Sequence, residues 1–285
     1  MRLAMMKRLF HHSLVLELSY KIPLGNCALV ANDNWYQSFV VTFPEMPKKD
    51  LNNAFLYEIK RRSDLSLNNI VYDYYPNRKV GTEIEYYVFY SDKERIGKIV
   101  DKFKKNSINI KYIDVKEMIS LAVYKNLYAD DKNVKCFIDI GYTNSKMIFT
   151  KEERLIFFRT TTFGLKHLID VLKNVSEDNN ILELFEFKGI SDSKIESVLR
   201  DFFSEFFYDV IRTVNFFSTT YRESNPSNIL YTGGIFAIPG MYEYFCQNLP
   251  YPCILNNVFE LLDYKEKEMR KIGFMFNYAV GAAIR

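Results

Sequence analysis

The sequence predicts an α/β fold with a small α+β module near its start, and three observations predict it. Between residues 38 and 115, aromatic and β-branched runs alternate with amphipathic stretches in the order strand, helix, strand, strand, helix, strand. Near residue 135 the pattern resets to three consecutive strands followed by long helical periodicity. The composition, 48% apolar and 16% aromatic in 285 residues, suffices for packed cores. It contains no run of the ~18 to 20 apolar residues that a membrane span needs.

The N-terminal stretch Met1–Leu18 begins weakly basic, lacks a sustained apolar core and a small-residue cleavage site, and is followed by Lys21 and Asp33. A cytoplasmic protein is expected. Cys27–Val30 and Ser38–Phe43 read as strands, the second ended by Pro44 and Pro47. A helix is expected from Pro47 to Arg62, with Leu51, Ala54, Phe55 and Ile59 on one stripe. Strands Ile70–Tyr75 and Glu83–Tyr90 follow, with a turn expected at Pro76-Asn77-Arg78. Ser91 and Glu94 have the spacing of a capping box, opening a helix whose Ile96, Ile99, Val100 and Phe103 share a face. Lysines 98, 102, 104 and 105 fall on its other faces, where a solvated surface is the plain reading. Strand Ile108–Val115 is expected to close the module.

A short helix over 116–127 and the polar run Asp130–Asn133 lead into strand Lys135–Ile140, a turn at 141–145, strand Lys146–Thr150 and strand Leu155–Thr160. Gly164 opens a helix with Leu165, Leu168, Ile169 and Leu172 on one face, and Ser193 and Glu196 cap a long one reaching Phe217. Strand Asn228–Tyr231, a Thr232-Gly233-Gly234 turn, a helix over 239–248, a strand near Cys253–Leu255 and a terminal helix complete the chain. Prolines 226, 239, 250 and 252 fall at boundaries.

Charge and reactive residues exclude several functions. With 38 Lys+Arg against 35 Asp+Glu, the net +3 makes no case for nucleic acid as a partner. The four cysteines form no C-x-x-C pair and the three histidines no ligand pattern, so reduced thiols and no His/Cys metal site are expected. Two stretches can carry chemistry. In Asp139-Ile-Gly141-Tyr-Thr143-Asn144-Ser-Lys146, a strand ending in Asp crosses a tight turn, which can offer amides to a phosphate while the Asp holds hydrated Mg2+; an ordinary hairpin with polar turn residues fits equally. In Tyr231-Thr-Gly233-Gly234-Ile-Phe-Ala237, paired glycines after a strand let the backbone approach a flat ligand such as adenine or ribose.

The order D-I-G-x-x-x-S-K (Asp139–Lys146), R-x-x-x-x-G (Arg159–Gly164), D-V-I-R-T-V-N-F-F (Asp209–Phe217), Y-T-G-G-I-F-A-I-P-G-M (Tyr231–Met241) and Y-A-V-G-A-A-I-R (Tyr278–Arg285) resembles the PilM family of actin-like ATPases. These are cytoplasmic platforms of type IV pilus machines, related to FtsA. Upstream, Phe43–Ile59 and Val71–Tyr74 are similar to the family's entry into its inserted subdomain, so the resemblance covers residues 27–285. It implies an actin-like fold of duplicated α/β lobes with an inserted SHS2-like (1C-like) α+β subdomain. The boundaries it implies are a reduced remnant of the first lobe over 1–37, the inserted subdomain over 38–115, a return helix over 116–135 and the second lobe over 136–285. Asp139, Gly141, Thr143 and Asn144 would belong to a phosphate and Mg2+ loop, with Asp139 at the metal. Gly233, Gly234 and Ala237 would line the adenosine side, and Asp209 and Arg212 match polar helix positions near the nucleoside.

The first lobe of such folds opens with its own D-I-G-x-x-x-x-K hairpin, and here only Leu16–Lys21 stands in its place, without glycine and followed by Pro23. Either the chain start lacks sequence or this is a reduced member with half a nucleotide site; the resemblance implies ATP and Mg2+, and the unrecognised first phosphate loop leaves their absence open. The resemblance implies docking of the cytoplasmic N-terminal tail of a PilN-like inner-membrane protein, a contact to the pilus assembly ATPase and a location peripheral to the inner membrane through partners, without direct membrane insertion; homo-oligomerisation stays open. The aromatic surplus of the inserted module, Tyr72 to Tyr90, suits a face covered by such a partner or by the rest of the chain. Alternatives are an active ATPase or phosphotransferase of the same superfold, which needs both phosphate loops, and the equivalent platform of a type II secretion system. Because the family's division relatives continue past this point to a membrane-targeting segment, division is disfavoured.

Overall fold

The computed structural model describes residues 26–128, 131–175 and 193–285. The Leu16–Lys21 stretch lies outside them. The described residues divide into two compact units. The first runs to Asn126 and takes in Glu153–Ile156 and Tyr278–Arg285; the second comprises Leu127–Glu152 and Phe157–Asn277.

In the first unit, β2 (Gln37–Pro44), β3 (Ile70–Val80) and β4 (Glu83–Asp92) form an antiparallel sheet in the order β2-β4-β3. Helix α1 (Lys48–Arg62) starts after Pro47, with Asp50 in its first turn and Lys60, Arg61 and Arg62 in its last, both favourable to the helix dipole. Its Leu51, Phe55 and Ile59 are buried against Tyr86, Val88 and Tyr90, with Tyr72 and Tyr74 closing over Phe55. The opposite face of β4 is buried too. Tyr87 donates to the Ile156 carbonyl, and Phe89 meets Tyr36 edge-on at 6.1 Å. Of the two coverings expected for the aromatic surplus on β4, the chain itself supplies this one.

Three sequence expectations change here. No turn forms at Pro76–Arg78: β3 continues to Val80 through a bulge between Pro76 and Arg78, where proline lacks an N–H to pair and Asn77 turns in to donate to Glu85 at 2.8 Å. The turn falls at Gly81, whose φ of 63° is the left-handed conformation that a two-residue hairpin loop favours. Helix α2 (Lys93–Lys105) is capped by Asp92, which accepts from the Glu94 and Arg95 amides, while the Ser91 hydroxyl donates to the Trp35 carbonyl. Finally, β5 (Asn109–Asp114) does not join the three-stranded sheet. It pairs in parallel with β1 (Asn26–Val30), Asn26 opposite Asn109 and Val30 opposite Asp114.

Helix α3 (Lys116–Leu127) follows, buried on nearly all sides. Its Glu117 is fully buried and accepts from the Tyr36 hydroxyl at 2.8 Å; that hydroxyl also faces Asp33 at 3.2 Å, and Asp33 pairs with Lys116 at 3.1 Å. Burial, with the Glu117 and Asp33 charges, pushes the Tyr36 phenol far up, so it serves as a neutral donor. Residues 278–285 complete this unit. The missing Cβ of Gly281 lets that segment approach Ile119 and Val123, and Tyr112 donates to the Ala282 carbonyl.

The second unit holds β6 (Lys135–Ile140), β7 (Ser145–Lys151), β8 (Arg154–Thr161) from Phe157 on, β9 (Asn228–Thr232) and β10 (Cys253–Leu255), in the sheet order β10-β9-β6-β7-β8. Central β6 is buried along its length, antiparallel to β7 and parallel to β9. Helix α4 (Leu165–Val175) contacts the 29-residue helix α5 (Ser193–Tyr221), whose Leu199, Phe203, Phe206, Val210, Val214 and Phe217 are buried at helical spacing. Phe149 stacks on Phe217 at 4.3 Å and Phe163 on Phe206 at 4.2 Å. Beyond α6 (Met241–Asn248) come two single-turn helices that the sequence reading passes over, α7 (Val258–Leu261) and α8 (Lys267–Arg270); the last helix, α9 (Asn277–Ala283), belongs to the first unit from Tyr278 on.

Candidate functional site

The β6–β7 turn is built from glycine and fixed by the helix that follows β8. Asp139 lies across from Lys146 on β7 and beside Thr232 on β9, both charged groups buried on directly paired positions. The Gly141 amide donates to the Asn144 carbonyl at 3.0 Å. The first amides of α4 then donate back into the turn, Leu165 to Gly141 at 3.0 Å and Lys166 to Tyr142 at 2.8 Å. Gly164 makes this approach: a Cβ there would sit 2.5 Å from the Thr143 carbonyl carbon and 2.7 Å from the Tyr142 oxygen. The Ser145 hydroxyl adds a bond to the Phe163 carbonyl at 2.9 Å. Two amides at the start of α4 are thus spent on the turn, in which Thr143 is exposed and Asn144 half-buried.

Gly233, at φ 116°, passes so close to β6 that a Cβ would meet the Ile140 carbonyl oxygen at 2.5 Å. Its amide and the Thr232 hydroxyl both donate to the Phe274 carbonyl, at 3.2 and 2.6 Å. Gly234 differs: a Cβ there would meet only Met275 Cε, at the ordinary contact distance of 3.9 Å. The 3-10 turn Gly234–Ala237 carries the partly buried Ala237.

The structure therefore brings the end of β6 at Asp139 and Ile140 beside Thr232 and Gly233, with Gly141, Thr143 and Asn144 in the turn that follows and Gly234 next along the chain. Asp209 and Arg212 lie on α5 of the same unit. Asp209 accepts from Arg159 at 2.9 Å and from Arg212 at 2.7 Å, and Arg159 also donates to Thr213 at 2.7 Å. Arg159 belongs to β8, two strands from β6 in the sheet and so roughly 10 Å away. Among the described residues, no cluster of three or more His, Cys, Asp or Glu side chains could hold a metal ion.

A second feature lies within the first unit. A cleft of about 400 Å³ runs between the outer strand β3 and β5, lined by Asp73, Tyr75, Phe89, Tyr112, Asp114 and Arg285 among others. Buried Asp114 accepts from the Val115 amide at 2.8 Å and is ion-paired with Arg285. Sequence reasoning passed over Asp114 and Glu117; the signal available was an acidic residue at the edge or in the middle of an otherwise apolar run.

A five-stranded mixed sheet whose central hairpin meets a glycine-paired strand end, and a separate unit with its own three-stranded sheet, define an α/β protein of the actin-like class. The model of the type IV pilus assembly protein PilM matches residues 44–285, and the chain belongs to that family. In a solved PilM-PilN type IV pilus biogenesis complex, a chain of 18% identity superposes with a TM-score of 0.76 over 90% of this chain and 78% of that one. The ethanolamine utilization protein EutJ from Carboxydothermus hydrogenoformans, 15% identical, gives 0.47 over 67% and 60% of the two chains. MreB 5 of Spiroplasma citri bound to AMPPNP, 16% identical, gives 0.41 over 61% and 65%. No curated protein matches the chain.

Proposed function

We propose that the chain is a type IV pilus assembly platform that docks the cytoplasmic N-terminal tail of a PilN-like inner-membrane protein and is modulated by ATP. The family match and the likeness to a PilM solved with PilN carry this reading. The cleft beside β3 and β5 supports it physically. Each strand is outermost in its sheet, so an extended peptide could hydrogen-bond to a strand edge while Tyr75, Phe89 and Tyr112 provide apolar walls and Asp73 attracts a basic residue. Burial raises the Tyr75 phenol, keeping it a neutral donor at the cleft wall. The family resemblance adds the pilus assembly ATPase as a second contact. Among the described residues no helix is long and apolar enough to cross a membrane.

For nucleotide, the residues present fit one side of a site. Thr143 and Asn144 would meet phosphate oxygens, Asp139 a hydrated Mg2+, and Gly233, Gly234 and Ala237 the adenosine. The absence of backbone crowding at Gly234 and the exposure of Thr143 are the observations that permit it. Bound ATP would supply charge and a bridge between segments.

Calorimetry of the purified chain tests both halves. A synthetic tail peptide is expected to bind, and Asp73→Lys to weaken it at least tenfold; no heat with any PilN-like tail rejects the docking role. Mg-ATP heat that vanishes in Asp139→Ala supports the nucleotide site, and its absence removes that part alone.

A further inference from the structure

The whole chain carries only +3, yet between Lys93 and Lys111 seven cations face two anions, a net +5. The remainder is therefore net negative, and the basic charge is concentrated on α2 and the start of β5. Helix α2 has no buried residue. Its positions follow a pattern: Arg95, Lys98, Lys102 and Lys105 share one face, while Glu94 and Asp101 fall together away from the Ile96–Phe103 stripe. Lys98 pairs with Glu94 at 2.6 Å but stays 71% exposed. Beside this basic face stands Trp35, the single tryptophan of the chain. The loop that carries it is tied to α2 by Arg95, which donates to the Asn34 carbonyl at 2.6 Å, and by Ser91, which donates to the Trp35 carbonyl. Trp35, Arg95, Lys98, Ile99 and Lys102 line one shallow groove of about 530 Å³, whose carboxylates are the capping Asp92 and the paired Glu94.

From this charge concentration and from Trp35 held beside it, we infer that the α2 face binds an anionic phospholipid surface directly. Charge complementarity names the occupant. Flexible lysine ammoniums on a convex helix suit a plane of headgroups, where each contributes independently, whereas an acidic peptide would be gripped by forked arginines in an enclosed groove. An indole at the rim, with Ile99 next to it, has the amphipathic character that settles at a membrane interface. The contact would orient the first unit on the bilayer independently of any protein tail, so it stands apart from the proposed docking cleft.

The test is co-sedimentation of the purified full chain with phosphatidylcholine vesicles with and without phosphatidylglycerol, alongside Trp35 emission. Expected are binding to the anionic vesicles only, a blue shift of the emission and loss of binding as salt rises. Lys98→Glu/Lys102→Glu/Lys105→Glu should weaken partitioning about 100-fold. The control Lys79→Glu/Lys265→Glu/Lys267→Glu, exposed sites with the same change in net charge, should change it less than about threefold. Equal loss in both variants, or no anionic-vesicle binding, overturns the inference. Binding of soluble polyglutamate to the α2 face without vesicle binding also overturns it, in favour of an acidic protein partner.

Discussion

The molecule builds two long antiparallel hairpins, β3–β4 and β6–β7, and their turns use glycine for opposite reasons. A Cβ on Gly81 in the first would meet nothing within 4 Å, and only its φ of 63° calls for glycine. In the second, Gly141, Gly164 and Gly233 are hemmed by backbone, with a Cβ falling 2.5 to 2.9 Å from atoms that cannot move aside. One turn is a free loop set by local conformation. The other is a packed junction where a strand end, a helix start and a neighbouring strand meet, and the candidate nucleotide residues sit there.

The largest effect that separates the hairpins is expected from Gly164→Ala. Its added methyl overlaps three backbone atoms of the 142–144 turn, so a loss of about 3 kcal/mol in denaturant unfolding should follow. A loss below about 1 kcal/mol would mean that the junction yields. Next comes the far end of β6, where buried Lys135 is ion-paired with Asp131 and bonded to Ser227 at 3.1 Å. Asp131→Asn should cost about 2 kcal/mol, less than for a fully buried pair because Asp131 is 34% exposed. Burial tends to raise the Asp131 carboxyl, but the bonds from Lys135 and Asn133 outweigh it and hold the group below its ordinary 3.8. A depressed folded pKa stabilises above the unfolded value and ceases to as pH falls through the folded one. The gap between wild type and Asp131→Asn should therefore be full at neutral pH and close on acidification below the ordinary 3.8, which unfolding curves across pH will check.

In the first hairpin the effects are smaller. Tyr87→Phe removes the bond to the Ile156 carbonyl while keeping the ring, for about 1 kcal/mol. Gly81→Ala should cost about 1 kcal/mol, the strain of a left-handed alanine with no clash. Were Gly81→Ala as harmful as Gly164→Ala, the distinction between conformational and packing glycines would fail here.

The same contrast explains what the sequence made legible. The D-I-G-x-x-x-S-K and T-G-G stretches stood out because close backbone approach restricts their residues, and the structure does bring them together. Strands and helices with strong periodicity, such as α1 and α5, were readable for the same reason: one buried face dictates the pattern. Pro76-Asn77-Arg78 looked like a turn because proline and asparagine favour turns in isolation, whereas the cross-strand partner Glu85 turns them into a bulge. The partnering of β5 with β1 was invisible because both candidate sheets accept the same alternating strand, and a pairing across some eighty positions leaves no local trace. Asp209 and Arg212 carry the polar character expected of them, but nothing in their own segment reports that Arg159 on β8 takes up Asp209.

One feature of the first unit bears on how the chain is made. Residues 278–285 seat Gly281 against Ile119 and Val123 and place the Ala282 carbonyl under Tyr112, yet the second unit is synthesised between these two sets of residues. On the ribosome the second unit can emerge and fold while the first still waits for its last segment, leaving the α3 side chains Ile119 and Val123 without their final covering. Completion of the earlier unit therefore follows translation of the later one, and any stall between them holds an unfinished apolar surface open to chaperones.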